Sequence, residues 1–192
     1  WNKNNLLLLF FLSGALAILM FGMNVKAQWW VIDDHEIAYF LGSDHRISVG
    51  EIPGKLLNDT EVGQYLHVPR FRPVYYVFRL LESWAWGDKP GLWYAFRIFV
   101  FAAFVGLFWY LISQKVGSII GGFIALYMAI QTYWVDIISR LGPSEIYAVL
   151  GLSLFGWGVH LIYRSNKVVG WLCIFVGVVI CSGTKENFLF LI

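Results

Sequence analysis

Four ionisable residues in a row follow the first long apolar run of the sequence and could do acid–base or metal chemistry. They are Asp33, Asp34, His35 and Glu36. An acid followed three residues later by Glu is typical of an N-cap pair that opens a helix, which accounts for Asp33 and Glu36 but not for Asp34 and His35. Carboxylates at the edge of a membrane can take a proton from a hydroxyl, and with a histidine they can hold a divalent cation such as Mg²⁺ or Mn²⁺.

Basic residues further along the chain could bind a phosphate group. Arg70, Arg72 and Arg79 lie within ten positions of one another. From Pro73 onward the apolar residues of this segment recur at helical spacing, which predicts a helix at the membrane interface. Arginine binds phosphate through two parallel hydrogen bonds. The alternative is that these arginines contact lipid head groups or pair with acids of the same loop.

Two later polar segments carry further candidates. One contains Asp136, Arg140 and Glu145, and the other contains Lys185 between two apolar runs. Glu145 could be only a partner of the positive end of a helix dipole. Placing ionisable groups so close to apolar runs costs free energy, and such groups are candidates for function. Lys185 could instead simply pair with its neighbour Glu186.

The amino-acid composition limits the class of protein that can hold these residues in place. Of the 192 residues, 59% are hydrophobic and only 14% are charged, which a water-soluble core of this size could not accommodate. Disorder and a secreted disulfide scaffold are excluded as well. Cys173 and Cys181 lie in an apolar run and are interpreted as membrane-core residues without a disulfide. The net charge of +2 is too small to indicate nucleic-acid binding.

We therefore predict an all-α polytopic membrane protein. A spanning helix needs roughly 20 apolar residues. Five segments are predicted spans and a sixth begins near residue 188; the five are residues 6–25, 92–112, 119–135, 146–163 and 168–182. Residues 26–91 form one long loop that we expect to contain short helices beside the membrane. We expect residues 1–192 to be the N-terminal part of one domain of a longer protein, because the chain starts at Trp1 and stops inside an apolar run.

The distribution of charge predicts the orientation. With a cytoplasmic N-terminus, the inner segments carry four bases and none of the 12 acids; the four are Lys3, Lys115, Arg164 and Lys167. A Lys/Arg excess in short inner loops is the standard orientation signal. The candidate residues then face the periplasm or a lumen, and a bacterial inner membrane is the expected location. Arg97 and His160 lie near span ends, where such side chains commonly extend to the interface or cap a helix.

The order of these motifs resembles the GT-C superfamily of integral-membrane glycosyltransferases. The series IDDHE, RFRPVYYVFRL, WGDKPGLWY and FRI is similar to the N-terminal half of transmembrane O-mannosyltransferases and their bacterial relatives, which use polyprenyl-phosphate sugars. The string SGTKEN resembles their Lys-Glu motif, and SRLGPSE stands where their second outer site lies. The resemblance implies a GT-C-like helical bundle with a long first outer loop.

The resemblance also implies roles for individual residues. Inverting transfer from a polyprenyl- or dolichyl-phosphate sugar would use Asp33 or Asp34 as the general base on the acceptor hydroxyl. The acceptor would be a glycan, a lipid or a protein. Cations would neutralise the lipid phosphate that leaves; they are Arg72, Arg140 and Lys185. A second acidic site would come from Glu36, Asp136 and Glu145, and a divalent cation, if one is used, would involve Asp34, His35 and Glu145.

Two other classes of protein remain as alternatives. A transporter or flippase is expected to have ionisable or broken spans near the middle of the membrane, and the predicted spans are apolar at their centres. A non-catalytic membrane subunit would keep the layout but would not bind a donor lipid.

Overall fold

The computed structural model describes residues 3–29, 34–63, 70–185 and 187, with side chains from residue 6 onward. Within these ranges every regular element is a helix. The α-helices, in chain order, are α1 (Lys3–Phe21), α2 (His35–Leu41), α3 (Ile52–Asn58), α4 (Pro73–Trp86), α5 (Pro90–Val116), α6 (Ser118–Ala129), α7 (Tyr133–Ile138), α8 (Glu145–Tyr163) and α9 (Lys167–Thr184). Short 3₁₀ turns cover Gly22–Lys26 and Val49–Glu51.

Four helical segments are long and apolar enough to cross a membrane. They are Leu6–Lys26, Pro90–Val116, Glu145–Tyr163 and Lys167–Thr184. Each overlaps a predicted span, and together they indicate a membrane protein. Cys173 and Cys181 are both free thiols, as expected. The predicted sixth span near residue 188 lies outside the described residues.

The third predicted span is not one helix. Residues 119–135 are divided between α6 and α7, and the chain leaves the helical path at Ile130. Side chains replace some of the hydrogen bonds that the break removes: the indole of Trp134 donates to the Met128 carbonyl at 2.9 Å, and the amide of Gln131 donates to Tyr127 at 2.7 Å. Such partners make a break tolerable in an apolar environment. The expectation of an unbroken span is therefore wrong.

Packing contacts fix the direction of the long helices. Gly106 of α5 faces Phe10 and Ser13 of α1, while Gly91 at the start of α5 faces Val25, so α1 and α5 are antiparallel. Tyr110 of α5 is hydrogen-bonded to His160 of α8 at 3.2 Å. The carboxyl ends of α5 and α8 therefore lie together. We call this the basic end, after Lys115, Arg164 and Lys167; the opposite end, where α5 and α8 begin and α9 ends, is the polar end.

Helices α8 and α9 form an antiparallel hairpin that depends on glycine. Gly151 and Gly158 of α8 face Gly177 and Gly170 of α9. A methyl group on Gly158 would lie 2.6 Å from the Gly170 carbonyl oxygen, closer than nonbonded atoms approach. Close backbone approach at small residues is a common way for helices to associate in membranes.

We predict that Gly158→Ala destabilises the protein by roughly 1–3 kcal/mol, because the added methyl must push the two helices apart. Gly14→Ala is the matched control, since nothing lies within 4 Å of a methyl group added there. Unfolding of the purified variants in detergent measures both effects. Equal stability of the two variants would show that the glycine contact does not hold the hairpin together.

Candidate functional site

A buried ionic network joins α4 to α5 at the polar end. Arg79 and Arg97 are fully buried and Glu82 is 4% exposed. The Glu82 carboxylate lies 3.9 Å from Nη1 of Arg79 and 3.7 Å from Nη1 of Arg97. Buried charges are strongly unfavourable unless they are paired. One carboxylate between two guanidinium groups therefore holds the two helices in register.

The same arginines hold the segment between α7 and α8. The Leu141 carbonyl accepts hydrogen bonds from Nη2 of Arg79 and, at 2.7 Å, from Nη2 of Arg97. Arg97 also donates to the Arg140 carbonyl at 3.4 Å, and Arg79 to the Gly142 carbonyl at 3.3 Å. Backbone carbonyls of residues 140–142 thus replace water around two buried cations.

Two tyrosines extend the network to α8 and α2. The hydroxyl of Tyr147 donates to Glu82 at 2.6 Å, and that of Tyr75 donates to Glu36 at 2.7 Å. Burial raises the pKa of Tyr75; Arg79 opposes this effect and Glu36 adds to it, so the phenol keeps its proton. Glu36 lies 3.9 Å from Nε of Arg79, which gives the two arginines two carboxylates in all.

Some polar atoms of this network have only electrostatic contacts. Within the described ranges, Nη1 of Arg79, Nη1 of Arg97 and Oε1 of Glu82 are buried without a hydrogen-bond partner. Their charges face one another at 3.7–3.9 Å, beyond hydrogen-bonding distance. Burial of these groups is tolerable mainly because their opposite charges balance, and less because of their hydrogen bonds.

A second ionic cluster combines three of the predicted site residues. Nζ of Lys185 lies 2.5 Å from Oε1 of Glu145, and Arg72 is close enough to interact electrostatically with the same carboxylate. Arg72 also donates two hydrogen bonds to Glu61, at 2.8 and 3.1 Å. Burial opposes its charge, but Glu61, Tyr76 and Tyr75 together raise the pKa of Arg72 above its ordinary value. The alternative that a loop acid pairs with this arginine therefore describes Arg72 in this structure.

Asp34 and His35 lie beside a separate cavity. Asp34 is 3% exposed and occupies the N-cap position of α2, where its side chain makes no capping hydrogen bond. With His45 and Asp88 the two residues line a cavity of about 410 Å³. Asp88 accepts a hydrogen bond from the Trp29 indole at 2.9 Å and lies 3.4 Å from His45. A buried carboxylate beside a cavity of this size is a candidate proton acceptor.

The remaining predicted residues are more dispersed. The side chains of Arg140 and Asp136 are exposed, and Asp33 lies outside the described residues, as does Glu186. In the described part of the chain, no group of three or more His, Cys, Asp or Glu residues could hold a metal ion. The divalent cation, and the second acidic site made of Glu36, Asp136 and Glu145, stay predictions.

The sequence-based interpretation of one residue is wrong. Arg97 does not extend to the interface but is fully buried, because α4 and residues 140–142 close over it. On α4, the buried face carries Tyr75, Arg79 and Glu82, while the apolar side chains Leu81 and Trp84 are exposed. A signal for the network exists in the sequence: those three buried residues recur at four- and three-residue spacing, which places them on one helix face.

Comparison with known proteins gives no family for the chain. No protein-family model, no curated protein and no solved structure matches it. The site is therefore interpreted from its own geometry and chemistry.

We predict that Glu82→Gln costs about 3–5 kcal/mol of stability, because it leaves two buried guanidinium groups with too few carboxylates. Glu61→Gln removes a carboxylate from a partly exposed pair and should cost about 1 kcal/mol or less. Denaturant unfolding in detergent measures both losses. Similar losses for the two variants would contradict the role assigned to Glu82.

Proposed function

We propose that the protein is a GT-C-type glycosyltransferase that moves a sugar, with inversion, from a polyprenyl- or dolichyl-phosphate donor to an acceptor hydroxyl. The observation that carries the proposal is the collection of ionisable groups from α2, α4, α5, α8 and α9 at the polar end of an apolar bundle. Burying so many charges together is costly, and perturbed ionisable groups cluster at functional sites. The resemblance in motif order supports the same class.

The donor phosphate binds at the second cluster. Lys185 pairs with Glu145, and Arg72 pairs with Glu61 and interacts with Glu145 as well, so a donor phosphate would take the place of these carboxylates as the partner of the two cations. Tyr75 and Tyr76 hold the Arg72 guanidinium over their rings at 5.0 and 5.7 Å. Fixed cations in a partly desolvated site stabilise the charge that develops on a leaving phosphate. Arg140 adds a third cation from the segment between α7 and α8.

The acceptor hydroxyl is deprotonated by Asp34 or by the preceding Asp33. Asp34 combines burial with an adjoining cavity, which is the environment of a general base. The second acidic site of Glu36, Asp136 and Glu145, with or without Mg²⁺ or Mn²⁺, belongs to the same proposal. Glu36 connects the two parts indirectly: it lies on the helix that Asp34 begins, and it accepts a hydrogen bond from Tyr75, whose ring packs on Arg72.

The buried network positions the site and does not take part in the chemistry. Arg79 and Arg97 bind the backbone of residues 140–142 and so fix the segment that carries Arg140. Precise placement of charged groups accounts for much of the rate acceleration in such sites. The site would face the periplasm or a lumen, in a bacterial inner membrane with a cytoplasmic N-terminus, and the acceptor would be a glycan, a lipid or a protein.

A transporter or flippase is the second candidate function, and one observation favours it. Discontinuous membrane helices often form transport sites, and the chain breaks between α6 and α7. However, the break itself is covered by aromatic side chains, because Trp134 packs on Phe101 at 4.8 Å and on Phe104 at 5.7 Å. The buried ionic network of Arg79, Glu82 and Arg97 lies at the polar end instead, which favours the transferase.

We predict that Asp33→Asn or Asp34→Asn, tested separately, lowers sugar transfer by roughly 10²–10⁴-fold in at least one case, because the general base is lost. The assay measures transfer from radiolabelled undecaprenyl-phosphate mannose and glucose in membranes that contain the intact protein. Asp44→Asn is the matched control, since Asp44 is exposed and contacts only Ser43 in the described structure.

Folding of each variant is checked by its unfolding temperature. Full transfer activity in both Asp33→Asn and Asp34→Asn would overturn the assignment of the base. Movement of the lipid-linked sugar across vesicles without any transfer to an acceptor would favour the transporter.

A further inference from the structure

The basic end of the bundle contains a cavity that the proposed transfer reaction does not use. It has a volume of about 590 Å³ and lies between the carboxyl ends of α5 and α8. Its walls are apolar and come from Leu111, Phe155 and Val159. Gly156 helps to form it, because a methyl group there would already lie 3.2 Å from a Leu111 methyl. This volume is in the usual range of small-molecule sites.

The rim of this cavity is polar and positively charged. Lys115 and Arg164 contribute the two cations, and Gln114 and His160 contribute neutral hydrogen-bonding groups. Nζ of Lys115 lies 5.7 Å above the Tyr163 ring, which directs the ammonium group over the rim. Of the described residues that line the cavity, none is a carboxylate. Cations at the ends of α5 and α8 also suit the helix dipoles, but the dipoles do not account for an apolar cavity between them.

We propose that this cavity binds an anionic phospholipid, with its phosphate between Lys115 and Arg164 and the upper part of an acyl chain against Leu111, Phe155 and Val159. The two cations of the rim favour an anionic head group. The apolar walls favour a lipid over a free anion, because an acyl chain can pack against them. Basic pockets between membrane helices are suited to this type of ligand. The site lies at the opposite end of the bundle from Asp34, Arg72 and Lys185, so it is separate from the proposed transfer site.

Native mass spectrometry of the intact protein, released from detergent micelles, tests the proposal. Phosphatidylglycerol, phosphatidylcholine and inorganic phosphate are offered separately. We expect phosphatidylglycerol to be retained at collision energies that remove phosphatidylcholine, and Lys115→Gln and Arg164→Gln each to weaken retention about fivefold. Lys167→Gln is the matched control: it removes the same charge at the same end, but Lys167 does not line the cavity.

A second variant keeps both cations and places a bulky side chain in the apolar part of the cavity. A Cβ atom at Gly156 would meet only the flexible end of the Leu111 side chain, and Gly156 lines the cavity, so we expect Gly156→Leu to fold with its side chain in the cavity and to lose phosphatidylglycerol retention. Equal weakening by Lys167→Gln would mean general attraction to negative lipid and would overturn the site. Unchanged retention in Gly156→Leu, or full displacement of the lipid by phosphate, would overturn it as well.

Discussion

The pairing of Glu82 with Arg79 and Arg97 is the constraint on which the polar end depends. Each of these side chains is almost completely buried, and each would be strongly destabilising alone. Because Arg79 and Glu82 belong to α4, Arg97 to α5 and Glu36 to α2, the two arginines face two carboxylates only when the three helices are docked. The carbonyls of residues 140–142 and the Tyr147 hydroxyl complete the surroundings of the charges, so the start of α8 must dock as well.

This constraint explains the orientation of α4. The face of α4 that packs on the protein carries an arginine, a glutamate and tyrosines beside Leu80, while Leu81 and Trp84 on the outer face are exposed. An apolar outer face suits contact with lipid, and a polar inner face suits a helix that covers the ionic end of a bundle. The proposed donor site lies at the start of the same helix, where Arg72 approaches Glu145 and Lys185.

Much of the fold follows from local sequence patterns. Long apolar runs predict the four candidate spanning helices, and Pro73 predicts the start of α4, because proline fits the first turn of a helix. The break after Ala129 has no such signal: no glycine or proline marks it, and it depends on Trp134 and Gln131 reaching back to α6. Asp34, Glu145 and Lys185 could be selected by residue type. The pairing of Arg97 with Glu82 could not be predicted, because it depends on how the consecutive helices α4 and α5 pack against each other.

A double-mutant cycle on Glu82 and Arg97 tests the central claim most directly. Glu82→Met leaves one excess positive charge in the network, Arg97→Met leaves one excess negative charge, and the double variant restores the balance with Arg79 and Glu36. Stability measured by unfolding in detergent should show that the double variant loses less than the sum of the single losses, by at least about 1 kcal/mol. Losses that add to within about 0.5 kcal/mol would mean that the two residues act independently and would contradict a charge-balanced network.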